Sequence, residues 1–118
     1  RATQVKWIVS DITKFVDQKK YDIWHDRAAF HFLTKPNDIN SYVINAKKSL
    51  NSNANLIIGT FSDDGPLKCS GIEITRYSKT TLKKCFQNDF TLYKCINYNH
   101  PTPFNTMQNF VFCSFKRI

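Results

Sequence analysis

The stretch Tyr21-Asp22-Ile23-Trp24-His25-Asp26-Arg27-Ala28-Ala29-Phe30-His31-Phe32-Leu33 decides how the chain is read. Its extended apolar start reads as a buried strand over 21–24, and it runs directly into three ionisable residues, His25, Asp26 and Arg27. Phe30 and Leu33 then recur at the spacing of a short helix. A buried strand with polar residues at its carboxyl end is how an open α/β sheet presents chemistry, because side chains there point into a crevice. The plainer reading is a strand end carrying a surface ion pair between Asp26 and Arg27.

Working outward, Val5-Lys6-Trp7-Ile8-Val9 is β-branched and aromatic and predicts a buried strand. Ser10-Asp11 ends it, residues 12–16 predict a turn or short helix, and Lys19-Lys20 mark an exposed connection. Downstream, Asn37 is positioned to cap a helix in which Ile39, Tyr42, Val43, Ala46 and Leu50 share a face. Asn51-Ser52-Asn53 closes it. The strand predicted over 55–61 has a continuous Leu56-Ile57-Ile58 run, which suits cover on both faces. Residues 62–66 form a turn by composition, and 67–77 read as a long loop with some extended structure. Ser78 caps a helix through Phe86. Residues 90–98 and 108–116 alternate as two strands joined by a loop containing Pro101 and Pro103. Helices between buried strands imply an α/β sheet with parallel crossovers, and the last pair implies an antiparallel edge.

The chain has 118 residues, 42% of them hydrophobic and 14% aromatic, enough for one domain or part of one. Its charge of +8 comes from 17 Lys and Arg against 9 Asp and Glu. The basic residues occur as scattered pairs, among them Lys47-Lys48 and Lys83-Lys84, and not as a run interleaved with aromatics. That pattern suits helix ends and solvated faces and argues against nucleic-acid binding. Cys69, Cys85, Cys95 and Cys113 show no C-x-x-C pair and predict free thiols. Three isolated histidines and unclustered acids supply no metal site. No run of about 18 apolar residues predicts a membrane span, and no signal-peptide pattern opens the sequence, so a cytoplasmic setting is expected.

In several segments the sequence resembles class I S-adenosylmethionine (SAM)-dependent methyltransferases. More narrowly, it resembles a bacterial branch with the signature Trp-His-Asp-Arg-x-x-Phe-His-Phe-Leu after the fourth strand, here residues 24–33. Further matching stretches are Leu56-Ile57-Ile58-Gly59-Thr60-Phe61, Gly65-Pro66-Leu67-Lys68-Cys69-Ser70-Gly71, Arg76-Tyr77, Thr102-Pro103-Phe104 and Gln108-Asn109-Phe110. The resemblance implies a Rossmann-like sheet with helices on both faces and an antiparallel C-terminal strand pair. Residues 1–118 would be the C-terminal part, about two-thirds, of a single methyltransferase domain, lacking its first two strands. Those strands carry a Gly-x-Gly-x-Gly turn for the methionine part of SAM and an acidic residue for its ribose. Here the glycines are Gly59, Gly65 and Gly71, and none forms such a turn.

In the family's sheet order (third, second, first, fourth, fifth, seventh, sixth) the absent strands would lie between residues 5–9 and 21–24. Open edges would result, and these tend to find a partner, so a homo-oligomer or a pairing with another chain is expected. The resemblance also implies roles. Asp11 would accept a hydrogen bond from the adenine amino group and Ile12 would line the ring, although Asp11 also suits a plain turn cap. His25, Asp26 and Arg27 would stand beside the transferring methyl. His25 would take the acceptor's proton, with Asp26 orienting it or acting alone, His25 and Arg27 would touch the cofactor, and Arg27 would bind an acidic substrate or pair with Asp26. His31 reads as a packed or surface histidine. Cys69, Ser70, Arg76, Tyr77 and His100 would flank the acceptor side. The expected function is SAM-dependent methyl transfer to a small molecule. The alternatives are a protein lysine acceptor, or a non-catalytic fragment that does not bind SAM alone.

Overall fold

The computed structural model describes residues 4–15 and 19–118. Four strands form one sheet in the order β1 (Tyr21–Arg27), β2 (Leu50–Phe61), β6 (Met107–Arg117) and β5 (Phe90–Pro101). β1 runs parallel to β2, with Trp24 opposite Leu56 and Asp26 opposite Ile58. β6 lies antiparallel between β2 and β5. This is the expected α/β sheet, with the expected antiparallel strand pair at its end. The pair is joined at residues 102–106, where the Thr102 amide donates to the Thr106 carbonyl (2.9 Å). In the predicted loop, β3 (Lys68–Cys69) and β4 (Ile72–Glu73) make a small hairpin. Ser70 and Gly71 turn it at positive φ.

Helix α1 (Pro36–Ser49) connects β1 to β2, and α2 (Lys79–Phe86) connects the hairpin region to β5. Ser78 caps α2 as predicted: its hydroxyl accepts from the Thr81 amide while the Thr81 hydroxyl accepts from the Ser78 amide. The cap expected at Asn37 is not used. Pro36 takes the first helical position, where its missing amide hydrogen costs nothing, and Asn37 lies inside the helix.

Both helices contribute to one core. Tyr42 and Ala46 of α1, Leu82 and Phe86 of α2, and Leu56, Ile58, Val111, Cys113 and Phe115 of the sheet are all buried together with Phe30. The Tyr42 and Phe86 rings meet edge-on at 6.5 Å. Because side chains alternate along a strand, the intervening residues face the other way. That second face carries Ile23, Ile57, Phe112, Ile96 and Tyr98, and Ile23 is 62% exposed. Of the two-sided cover expected from the sequence, the described residues supply one side.

Two expectations are corrected. Residues 5–9 are extended but unpaired: no described strand lies beside them, and an isolated strand has no ladder to hold it. Cys95 and Cys113 are not free thiols. They stand opposite one another in the β5–β6 ladder and form a disulfide, leaving Cys69 and Cys85 free. Their pairing depends on strand register, which cysteine spacing does not reveal. Val16, the last residue of the predicted turn, lies outside the described residues. The turn itself closes through the Lys14 amide and the Asp11 carbonyl (2.9 Å).

Candidate functional site

A cleft of about 540 Å³ runs along the outer edge of β1. One wall is Ile8, Ser10, Ile12 and Phe15; the other is β1 from Ile23 to Arg27, with Ala29 and Tyr42 behind it. Among the described residues β1 pairs only with β2, which leaves this edge accessible. The wall carrying Ile12 is held in place: Ile12 packs against the core and its carbonyl accepts from Asn45 of α1 (2.9 Å). Asp11 beside it accepts from the Thr13 amide (2.9 Å) and hydroxyl (2.7 Å), and those bonds hold its pKa below the ordinary carboxylate value.

Strand alternation divides the three ionisable residues. Asp26 points into the core and is 8% exposed. Its carboxylate accepts from the Ala29 amide (2.9 Å), the Phe30 amide (3.0 Å) and the Tyr42 hydroxyl. The Tyr42 oxygen in turn accepts from the Trp24 indole (2.9 Å). Burial, then the nearby Asp26 charge and hydrogen bond, raise the Tyr42 pKa far above the ordinary phenol value. The phenol therefore stays protonated and keeps donating. Asp26 fixes the turn after β1, where Ala28 takes a left-handed φ of 64° and the Phe30–Phe32 3-10 turn begins.

His25 and Arg27 lie on the opposite face from Asp26. Asp26 therefore does not orient His25, and it makes no ion pair with Arg27. The Arg27 guanidinium lies over the Phe110 ring (5.4 Å to the centroid) and approaches His100 Nδ1 (3.5 Å). The tertiary fold thus brings together Arg27 and His100, which lie far apart in the chain.

The other predicted acceptor residues are placed elsewhere. Cys69 and Ser70 belong to the β3–β4 hairpin. The Arg76 guanidinium donates to the carbonyls of Asp63 (2.8 Å) and Gly65 (3.2 Å), pinning the turn after β2. Tyr77 is buried, stacked on Phe30 at 5.2 Å, and burial followed by the neighbouring Cys85 raises its pKa. None of these four residues lines the cleft. His31 is fully buried, with Nδ1 accepting from the Phe61 amide (3.0 Å). Sequence spacing does not reveal Tyr42 as a partner of Asp26, because its helical position looks wholly like core.

No protein-family model matches the sequence, and no curated protein is similar to it. Solved structures do resemble the fold. The N-methyltransferase NodS from Bradyrhizobium japonicum WM9, in complex with S-adenosyl-L-homocysteine, superposes with a TM-score of 0.70 at 13% identity. The match covers 94% of this chain and 53% of that one. The 1,6-didemethyltoxoflavin-N1-methyltransferase of Burkholderia thailandensis gives 0.72 at 14% identity, covering 93% and 49%. A SAM-dependent methyltransferase from Clostridium acetobutylicum ATCC 824 gives 0.72 at 9%, covering 98% and 67%. The chain spans about half the length of the first two. Over the strands it shares with them, it has the Rossmann-like fold of class I SAM-dependent methyltransferases.

Proposed function

We propose that this chain is part of a SAM-dependent methyltransferase acting on a small-molecule acceptor. The observation that carries the reading is the cleft at the edge and carboxyl end of β1, in a fold that superposes on methyltransferases with TM-scores of 0.70 and 0.72. The residues present suit one part of the cofactor. Ile8, Ile12 and Phe15 offer an apolar wall for an adenine ring, with Asp11 next to it in sequence. The methionine part finds no glycine turn. Gly59 lies under the Phe112 ring, Gly65 is backed by the Asn109 carbonyl, and Gly71 turns the hairpin.

When bound, SAM supplies a sulfonium methyl group for in-line displacement. The work left to the protein is alignment, water exclusion and removal of a proton from the acceptor. In this reading His25, at the rim of the cleft, accepts that proton through its imidazole. Arg27, steadied by Phe110 and next to His100, holds an anionic group of the acceptor. Asp26 touches neither: it holds the turn from which both are presented.

One observation favours the second reading, a fragment that does not bind SAM alone: all three glycines are placed away from the cleft. The cytoplasmic setting is likewise proposed on the sequence. No described helix is long and apolar enough to cross a membrane. The Cys95–Cys113 bond weighs against the cytosol, where thiols are kept reduced.

Calorimetric titration of the chain with SAM and S-adenosylhomocysteine tests the proposal. Saturable, stoichiometric binding weakened by Ile12→Asp supports it. Absence of binding leaves the second reading standing. Transfer of labelled methyl from SAM to small metabolites, but not to lysine-containing proteins, then identifies the acceptor class.

A further inference from the structure

Three of the basic pairs that lie apart in the sequence meet at one end of the folded chain. Lys47 and Lys48 lie in the last turn of α1, and Lys83 and Lys84 in the last turn of α2. Lys116 and Arg117 end β6, with Arg117 opposite Phe90 at the start of β5. Direct contacts draw these ends together. Arg117 Nε donates to the Lys47 carbonyl (3.2 Å), Lys47 Nζ pairs with Asp89 (2.9 Å), and the Asp89 carbonyl accepts from the Ile118 amide (3.0 Å). Phe86, at the end of α2, packs edge-on against Phe90 at 5.8 Å. Read along the chain the cations are scattered pairs, which is why the sequence argues against nucleic acid. Folded, they are not scattered.

Helix C-termini attract cations, and that accounts for the lysines at each helix end. It does not account for a strand end that adds Lys116 and Arg117 to them. Asp89 neutralises Lys47, and among the described residues none of the other five cations makes an ion pair. Lys48, Lys83 and Lys84 are exposed. Like charges gathered in this way repel one another, and a ligand with repeated negative charges relieves the repulsion. β2 separates β6 and β5 from β1, so neither the open edge of β1 nor the cleft beside it takes part.

An aromatic ring and two amides stand beside the cations. β5 ends the sheet, and its register shifts between Leu92 and Lys94. Tyr93, within that irregularity, is 76% exposed and lies two residues along from Thr91, which stands opposite Lys116. Gln87 and Asn88 are exposed in the turn before β5. Cations alone fit any polyanion. A solvent-facing phenol ring with amide groups beside it fits a polyanion whose bases are free to stack and to hydrogen-bond. An anionic bilayer offers no such bases.

We propose that this end of the molecule binds single-stranded nucleic acid, with Lys48, Lys83, Lys84 and Lys116 on its phosphates and Tyr93 stacked on a base.

Fluorescence anisotropy of a labelled oligothymidylate, a strand without secondary structure, tests this with no SAM present, so its failure and that of the methyl-transfer reading are separate results. Binding is expected, weakening at least tenfold between about 50 and 200 mM salt. Lys48→Glu/Lys84→Glu is expected to weaken it by about tenfold or more with an unchanged melting temperature. Lys35→Glu/Lys68→Glu makes the same change in net charge at the start of α1 and in β3, and is expected to leave binding nearly unchanged. Tyr93→Ala is expected to cost about fivefold or more, the loss of one stacked base. A wild type that does not bind the strand at low salt overturns the proposal, whether or not it binds phosphatidylserine vesicles. So does an equal loss in the two charge-reversed proteins, or a Tyr93→Ala protein that binds like the wild type.

Discussion

The Tyr42 hydroxyl donates to the Asp26 carboxylate, joining the middle of α1 to the carboxyl end of β1. Through Asp26 the same bond reaches the Ala29 and Phe30 amides, and through Tyr42 it reaches the Trp24 indole. The turn that presents Arg27 therefore depends on a buried network, and every member of that network has a partner.

Breaking the network costs stability before it costs chemistry. Tyr42→Phe leaves the Trp24 N–H without its acceptor and the carboxylate short of one donor, an expected loss of about 1–3 kcal/mol. Asp26→Asn places an amide NH2 against backbone donors and is expected to cost at least as much. Urea denaturation checks both. An Asp26→Asn protein as stable as the wild type would return Asp26 to the list of proton acceptors.

His31 makes stability depend on pH. Burial lowers its pKa, and the Asp26 charge only partly opposes this. The folded protein thus binds a proton less readily than the unfolded chain. His31 contributes its full stability above the unfolded value near 6.5, and this falls as pH drops through the folded value. Thermal melts from pH 8 to pH 5 are expected to show a decline that is shallower in His31→Gln, where nothing titrates.

Gly59 is required by its neighbour. A Cβ there would stand 2.3 Å from the Phe112 ring, which crosses it from β6. Gly59→Ala is expected to destabilise by about 1–3 kcal/mol, the usual range for overpacking. Adding Phe112→Ala is expected to recover part of that loss, a coupling that a double-mutant cycle measures.

The Cys95–Cys113 bond closes a loop with a sequence separation of 18. Chain entropy gives such a crosslink about 3 kcal/mol. Dithiothreitol is expected to lower the denaturation midpoint of the wild type and to leave a Cys95→Ala/Cys113→Ala protein unmoved.

The sequence by itself determined the local elements: the β-branched and apolar runs of β1 and β2, the helical spacing of Tyr42 and Ala46, the Ser78 cap and the final strand pair. Each follows from neighbours within a few residues, where period and capping chemistry act. Strand alternation was also legible in principle, and it alone separates Asp26 from His25 and Arg27. The tertiary structure decided what depends on distant partners. Register made Cys95 and Cys113 a disulfide. Helix packing gave Asp26 to Tyr42. The sheet order, with β2 between β1 and β6, let the long Arg27 side chain reach across to Phe110 and His100. The same reason explains residues 5–9, whose composition predicts a strand while no described strand lies beside their backbone. A strand is a property of a pair, and a sequence read alone describes one member of it.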